Sequence, residues 1–176
     1  MKLNVGCGND IKKGWINLDI APVNGVDVVH NIENLPLPFD SNVFDEILCR
    51  NILEHVEYIP VLKELNRILK EGGSLVITVP HFTSVDNFID PTHKKMFSWR
   101  TFFFFSKQSW QNRSYYFDFS FSSIKEISVR FNKGVFFYNY LVEPVVNLHP
   151  RIKDVYEITF LSRLFPAQYL HVHLIK

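Results

Sequence analysis

Two glycines, an acid and a set of histidines stand where they could hold a small molecule and act on it. Gly6-Cys7-Gly8-Asn9 follows the short apolar run Lys2–Val5. A strand ending in a glycine-rich turn lets backbone N–H groups approach a ligand, because glycine puts no side chain in the way. Asp19 lies near the end of a second run, from Trp15 to Ile20, where its carboxylate can accept hydrogen bonds from ribose hydroxyls. Farther on, His55, His81, Asp86, Asp90 and His93 are the groups able to take a proton from an acceptor hydroxyl. His81 directly follows the fifth strand, so it is predicted to face the pocket mouth and is the first choice as base. His93 sits in Asp90-Pro91-Thr92-His93, where Asp90 orients it or where both only close a turn. His30, His149, His171 and His173 read as structural or surface residues. Each feature alone has a plainer reading: Gly-x-Gly as a turn, Asp19 as a helix cap, Leu35-Pro36-Leu37-Pro38-Phe39 as a packed loop. Their joint order and spacing favour a cofactor fold.

The elements that must position these residues follow from periodicity. Strands are predicted at 2–5, 15–20, 26–30, 44–49 and 74–79, the third a continuous Val-Asp-Val-Val run suited to a buried parallel strand. A helix over 58–70 places Leu62, Leu65, Ile68 and Leu69 on one face, with Pro60 in its first turn and Gly72-Gly73 as its stop. Strand, helix, strand at this spacing is a right-handed βαβ unit. A polar connection over 80–95 leads to a helical patch near 98–106 and a sixth strand within 120–131. Residues 132–166 read as short helices interrupted by Pro144 and Pro150, and Tyr169–Ile175 alternates as a final strand. The whole is expected to be one domain over 1–176, a cofactor half over 1–80 and a substrate and covering half over 81–176.

Only residues 9–14 separate the first two strands and only 21–25 the next two. Neither stretch holds the dozen or so residues of a crossover helix, though an extended segment at about 3.3 Å per residue can return along a short strand. One sheet face therefore lacks its usual cover. Residues 132–166 are expected to fold over that face or to build a homodimer contact there, using Val135, Phe136, Phe137, Tyr140, Leu141, Val145, Val146, Tyr156, Phe160, Leu161 and Phe165.

The stretches Leu3–Asn9, Gly14–Asp19, Leu35–Phe39, Asp45, Ile52–Val56 and Ile68–Gly73, in that order and spacing, resemble class I S-adenosylmethionine-dependent methyltransferases of the type 11 group. The segment Asp90–His93 and Leu164-Phe165-Pro166-Ala167 with the last strand resemble a compact branch of that group. The resemblance implies an α/β Rossmann-like sheet, mostly parallel with an antiparallel last strand and with its first crossover helices reduced. It implies S-adenosyl-L-methionine as cofactor: Gly6, Cys7, Gly8 and Asn9 at the methionine part, Asp19 at the ribose, Asn31 and Ile32 beside the adenine, and Ile20 as a further cofactor contact. Arg50 and Asn51 would line the methionine side, and His55 would order that turn or the methionine end. Asn31 departs from the family's frequent Asp, yet its side-chain oxygen can still accept from an amine.

Composition narrows the alternatives. Lys plus Arg less Asp plus Glu is 19 − 18 = +1, so no global field favours nucleic acid, and DNA is not an expected partner. Cys49-Arg50-Asn51-Ile52 also lacks the Asn/Asp-Pro-Pro-aromatic motif of amino-methylating DNA enzymes. Lys94, Lys95 and Arg100 form a small basic cluster beside aromatics, which leaves an RNA methyltransferase as a lesser alternative. A nicotinamide enzyme would want a third glycine where Ile11 stands. A methyltransferase-like module that binds without turnover is a further alternative. No metal is expected. The chain has 47% hydrophobic residues and two cysteines, and no apolar stretch reaches the roughly 18 residues of a membrane span. Met1 leads directly into the first strand. A cytoplasmic protein without a leader is the expectation, methylating O or N of a small-molecule or glycan acceptor.

Overall fold

The computed structural model describes residues 1–108, 114–134 and 136–176; Val135, one of the expected covering residues, lies outside them. Strands β1 (Lys2–Val5), β2 (Ile16–Asp19), β3 (Val28–Val29), β4 (Phe44–Arg50) and β5 (Leu69–Pro80) run parallel. After β6 (Ser123–Arg130), β7 (Tyr169–Ile175) inserts antiparallel between β5 and β6, giving the order β3-β2-β1-β4-β5-β7-β6. Helix α1 (Tyr58–Ile68) joins β4 to β5, and α2 (Asp86–Ile89) follows β5. Helices α3 (Asn139–Asn147), α4 (Pro150–Ile158) and α5 (Leu161–Leu164) lie between β6 and β7. Among the described residues no helix crosses over between β1 and β2, β2 and β3, or β3 and β4.

Strand registry sorts the side chains onto two unlike faces, because successive residues of a strand point opposite ways. Leu3, Ile47, Leu75 and Leu174 share a row across β1, β4, β5 and β7, and all are fully buried. Val5, Cys49, Ile77 and Val172 form the next row, equally buried. Helix α1 supplies the facing layer through Val61, Leu62, Leu65 and Ile68. Tyr58 carries that layer outward to Phe97, with ring centroids 5.2 Å apart, so the aromatic second half adds buried Phe97, Phe102, Phe105 and Phe121 to one continuous core. The opposite face carries Asn4, Asn17, Glu46, Arg50, Thr78, Glu126, His171 and His173, with Leu48 and Val76 between them. Over β1 and β2 it is crossed by the extended residues 9–14. There Asn4 donates to Asp10 O (2.8 Å), and Lys12 N donates to Asn17 Oδ1 (2.9 Å).

Residues 132–166 do not cover that polar face. They cap the free edge of β6, where the Asn147 side chain accepts from Val129 N (2.8 Å) and donates to Val129 O (2.7 Å). They then pack on the apolar side. Glu157 accepts from Ser98 Oγ and Trp99 N, Asp154 pairs with Arg100, and Tyr156 lies against Phe131. The bare face is mostly polar and presents little apolar area, chiefly Leu48 and Val76, so it makes little demand for an apolar cover.

Two local readings also change. Helix α1 ends at Ile68 with Leu69 extended, so Gly72-Gly73 does not stop it; Gly72, at φ 74°, bends β5 instead. Pro144 lies inside α3 rather than interrupting it, whereas Pro150 opens α4 as expected.

Candidate functional site

A cavity of about 380 Å³ opens at the carboxyl ends of β1, β2, β3 and β4. Of the residues singled out by sequence, it brings together Gly6, Asp19, Ile20, Asn31, Ile32, Asn51 and His55. Leu18, His30, Glu33, Ile52 and Val56 complete the wall. Leu18, Ile52 and Val56 lie within the stretches that carry the family resemblance, while His30 and Glu33 had only adjacency to a strand end or to a chosen residue. Both Asp19 carboxylate oxygens are oriented by backbone: Oδ2 accepts from Gly8 N (2.7 Å) and Oδ1 from Ala21 N (2.9 Å). Each oxygen keeps a further lone pair for a hydroxyl.

Four of the expected residues stand outside that wall. Cys7 is buried, with its N–H donating to Leu18 O (3.1 Å), and burial together with nearby Asp19 pushes its thiol pKa up. Gly8 and Asn9 form the turn behind Asp19. Arg50 lies on the polar face and reaches Asp10 (3.3 Å).

The two glycines differ in what they allow. Gly6 (φ 61°) and Gly8 (φ 47°) both adopt the left-handed conformation. A methyl group on Gly6 would overlap the Ile52 side chain, while one on Gly8 would meet nothing within 4 Å. Gly8→Ala is therefore expected to cost the left-handed penalty alone, about 1–2 kcal/mol. Gly6→Ala should cost a further 1–3 kcal/mol or so for the overlap. Urea unfolding of the two variants side by side checks the order; equal losses would mean that Ile52 moves aside freely.

A second cavity, of about 260 Å³, adjoins the first and shares Asn51 and His55 with it. Glu54, Pro80, Asp86, Ile89, Asp90, His93 and Tyr169 complete its wall. The loop carrying His93 is fastened to the turn after β4, since Lys94 N (2.7 Å) and Lys95 N (3.2 Å) both donate to Glu54 O. The rings of His55 and His93 meet edge to face at 4.6 Å. Burial pushes the Glu54 carboxyl up to about 7, and burial with the neighbouring His93 lowers His55.

His81 is not at the pocket mouth. It is fully buried, and both ring nitrogens are engaged. Thr83 N donates to Nδ1 (3.2 Å), so the ring proton sits on Nε2 and points to Glu157 Oε1 (3.0 Å). At the very end of β5 the chain turns this side chain toward α4, away from both cavities.

Residues 3–77 match the family described as a methyltransferase domain. A demethylmenaquinone methyltransferase of Staphylococcus haemolyticus is 34% identical over 87 residues, which take in 43% of this chain and 36% of that protein. An uncharacterized protein of Methanocaldococcus jannaschii is 53% identical over 45 residues, 26% of this chain and 20% of that protein. The match thus spans little more than a third of the length of these relatives at most. A SAM-dependent methyltransferase from Archaeoglobus fulgidus superposes over 99% of this chain and 85% of its own, with a TM-score of 0.59 and 21% identity. Geranyl diphosphate C-methyltransferase from Streptomyces coelicolor, solved with Mg2+, geranyl diphosphate and S-adenosyl-L-homocysteine, does so over 99% and 71%, with a TM-score of 0.58 and 13% identity. Residues 3–77 are thus similar in sequence to a methyltransferase domain, and nearly the whole chain has the fold of class I S-adenosylmethionine-dependent methyltransferases.

Proposed function

We propose that the chain binds S-adenosylmethionine in the larger cavity and transfers its methyl group to an oxygen or nitrogen of a small-molecule or glycan acceptor in the smaller one. The observation that carries this reading is the shared wall: Asn51 and His55 border both cavities, so donor and acceptor would meet across them. The residues present suit the cofactor. Gly6 keeps a cradle that a side chain would close, Asp19 offers free lone pairs for the ribose, and Ile20 and Ile32 supply apolar wall for the base. Gly6 and Asn51 would border the methionine part, and Asn31 the adenine edge.

The cofactor supplies an electrophilic methyl group on a sulfonium. What remains for the protein is chiefly alignment of the acceptor with it, in a water-poor site. His93 is the expected proton acceptor: it lines the smaller cavity, and His81 is committed elsewhere. The chain would act as one domain, with residues 1–80 holding the donor and 81–176 shaping the acceptor site.

Isothermal titration with S-adenosylmethionine tests the reading directly, followed by a panel of hydroxyl and amine acceptors scored by mass for a 14-dalton gain. Micromolar-scale binding is expected. Absence of binding would remove the enzyme reading, and binding without turnover across the panel would favour the non-catalytic module. An RNA acceptor is less supported, since Lys95 pairs with Glu57 (2.9 Å) and Arg100 with Asp154. We also propose a cytoplasmic setting and a homodimer contact through the exposed Phe137, Leu141 and Phe160.

A further inference from the structure

The smaller cavity contains a side-chain cluster that methyl transfer by alignment does not require. Glu54 is fully buried, and among the described residues neither of its carboxylate oxygens has a hydrogen-bond partner. A buried carboxylate without partners is costly, and protonating it still leaves an O–H to satisfy. Beside it, the His93 side chain is 9% exposed, and its Nδ1 is likewise buried without a partner. Ligand atoms of Glu54, His55 and His93 all lie within 4.8 Å of one another.

The His55 ring is set for the same purpose. Asp90 accepts from Thr92 Oγ1 at 2.6 Å. That hydroxyl has spent its proton, so at 2.8 Å it can only accept from His55 Nδ1. The Nδ1–H tautomer follows, and Nε2 keeps its lone pair. A carboxylate, acting through one hydroxyl, thus orients an imidazole as outer partners do around bound metal ions.

We propose that Glu54, His55 and His93 form a binding site for a divalent first-row transition ion of the zinc type. Two imidazoles and one carboxylate suit such an ion better than magnesium, which prefers an all-oxygen shell. At metal–ligand distances of about 2.0–2.1 Å, tetrahedral ligand atoms sit about 3.4 Å apart, so the three side chains need to close by little more than 1 Å. With three protein ligands a coordination position stays open to the cavity, where Asp86 and Tyr169 also face. An oxygen-bearing acceptor could occupy it, and binding there would favour loss of its hydroxyl proton, so that in the ion-bound protein His93 serves as a ligand and the ion takes over the part assigned above to that ring. That role rests on the methyl-transfer reading; ion binding itself does not.

Zinc alone is the probe. Chelator-treated protein is titrated with Zn2+ against a chromophoric competitor, and its thermal midpoint is read with and without the ion. One equivalent should bind and raise the midpoint. Glu54→Gln and His93→Ala should each weaken zinc at least tenfold, while their S-adenosylmethionine affinity, measured in the same samples, stays within a few-fold of wild type. No stoichiometric zinc in the wild type overturns the proposal, as does undiminished binding in both variants. Binding that disappears only in the double variant His171→Ala/His173→Ala would move the ion to the polar sheet face and also overturn it. Loss of cofactor binding with zinc retained would strike the methyl-transfer reading instead.

Discussion

Asp19→Ala is expected to weaken S-adenosylmethionine binding by roughly 10- to 100-fold, the equivalent of about 1.5–3 kcal/mol for a charge-assisted hydrogen bond. Two losses combine in that figure. The ribose hydroxyls lose their acceptor, and the turn at Gly8 loses the carboxylate that accepts its N–H at 2.7 Å. Fragments separate the two. If direct contact dominates, adenosine should lose nearly the whole factor and methionine almost none. If the turn dominates, both should weaken. Asp19→Asn is expected to fall between, because its amide oxygen can serve either Gly8 N or Ala21 N but its NH2 opposes the other. Calorimetry showing equal affinity in wild type and Asp19→Ala would refute the ribose assignment.

The wall of the larger cavity was legible because it is built from backbone turns at fixed places on strands. Gly6, Asp19, Asn31 and Asn51 each follow or end a strand, and a strand end is the one place a parallel sheet offers a ligand. The missing helices of the first two connections were legible from connection length alone, since six residues cannot hold a helix and a return, whereas the longer β3–β4 connection gave no such sign. Which face would be bare, and what it would be made of, was legible too but not drawn out. Tyr169–Ile175 alternates, with Leu170, Val172 and Leu174 inward and His171 and His173 outward, and β4 puts Glu46 and Arg50 on that same outer face. A mostly polar face makes little demand for cover, so residues 132–166 were free to go to the apolar side and the β6 edge.

The two candidate proton acceptors were harder to place. His81 and His93 both follow β5, and proximity in sequence gave no way to see that one side chain turns into the core. What distinguishes them is a partner far along the chain, Glu157 on α4, whose carboxylate gathers Ser98, Trp99 and His81 at one point. The Glu54 cluster was missed for a related reason. Leu53-Glu54-His55-Val56 was read for the family resemblance of its spacing, and only the folded chain brings residues 90–93 against it.

His81→Ala is accordingly expected to act on stability rather than on proton transfer. Removing a fully buried ring leaves a cavity, and large-to-small changes of this kind cost about 3–5 kcal/mol. Glu157, only 10% exposed, also loses the imidazole N–H that faces it at 3.0 Å, leaving a buried carboxylate less well satisfied. Against a total stability of about 5–15 kcal/mol this is a large fraction, and at about 2–4 °C per kcal/mol the midpoint should fall by roughly 10 °C. His81→Gln, which keeps a donor in the site, should recover part of the loss. Below the variant's unfolding transition, S-adenosylmethionine affinity should remain within a few-fold of wild type. Turnover per folded molecule on any acceptor found should do the same, with an unshifted pH profile. A drop of 10²-fold or more in rate with unfolding midpoint and cofactor affinity unchanged is the outcome a general base would give. That result would require the ring to leave Glu157 and reach the acceptor, against the hydrogen bonds to Glu157 and Thr83 that now hold it.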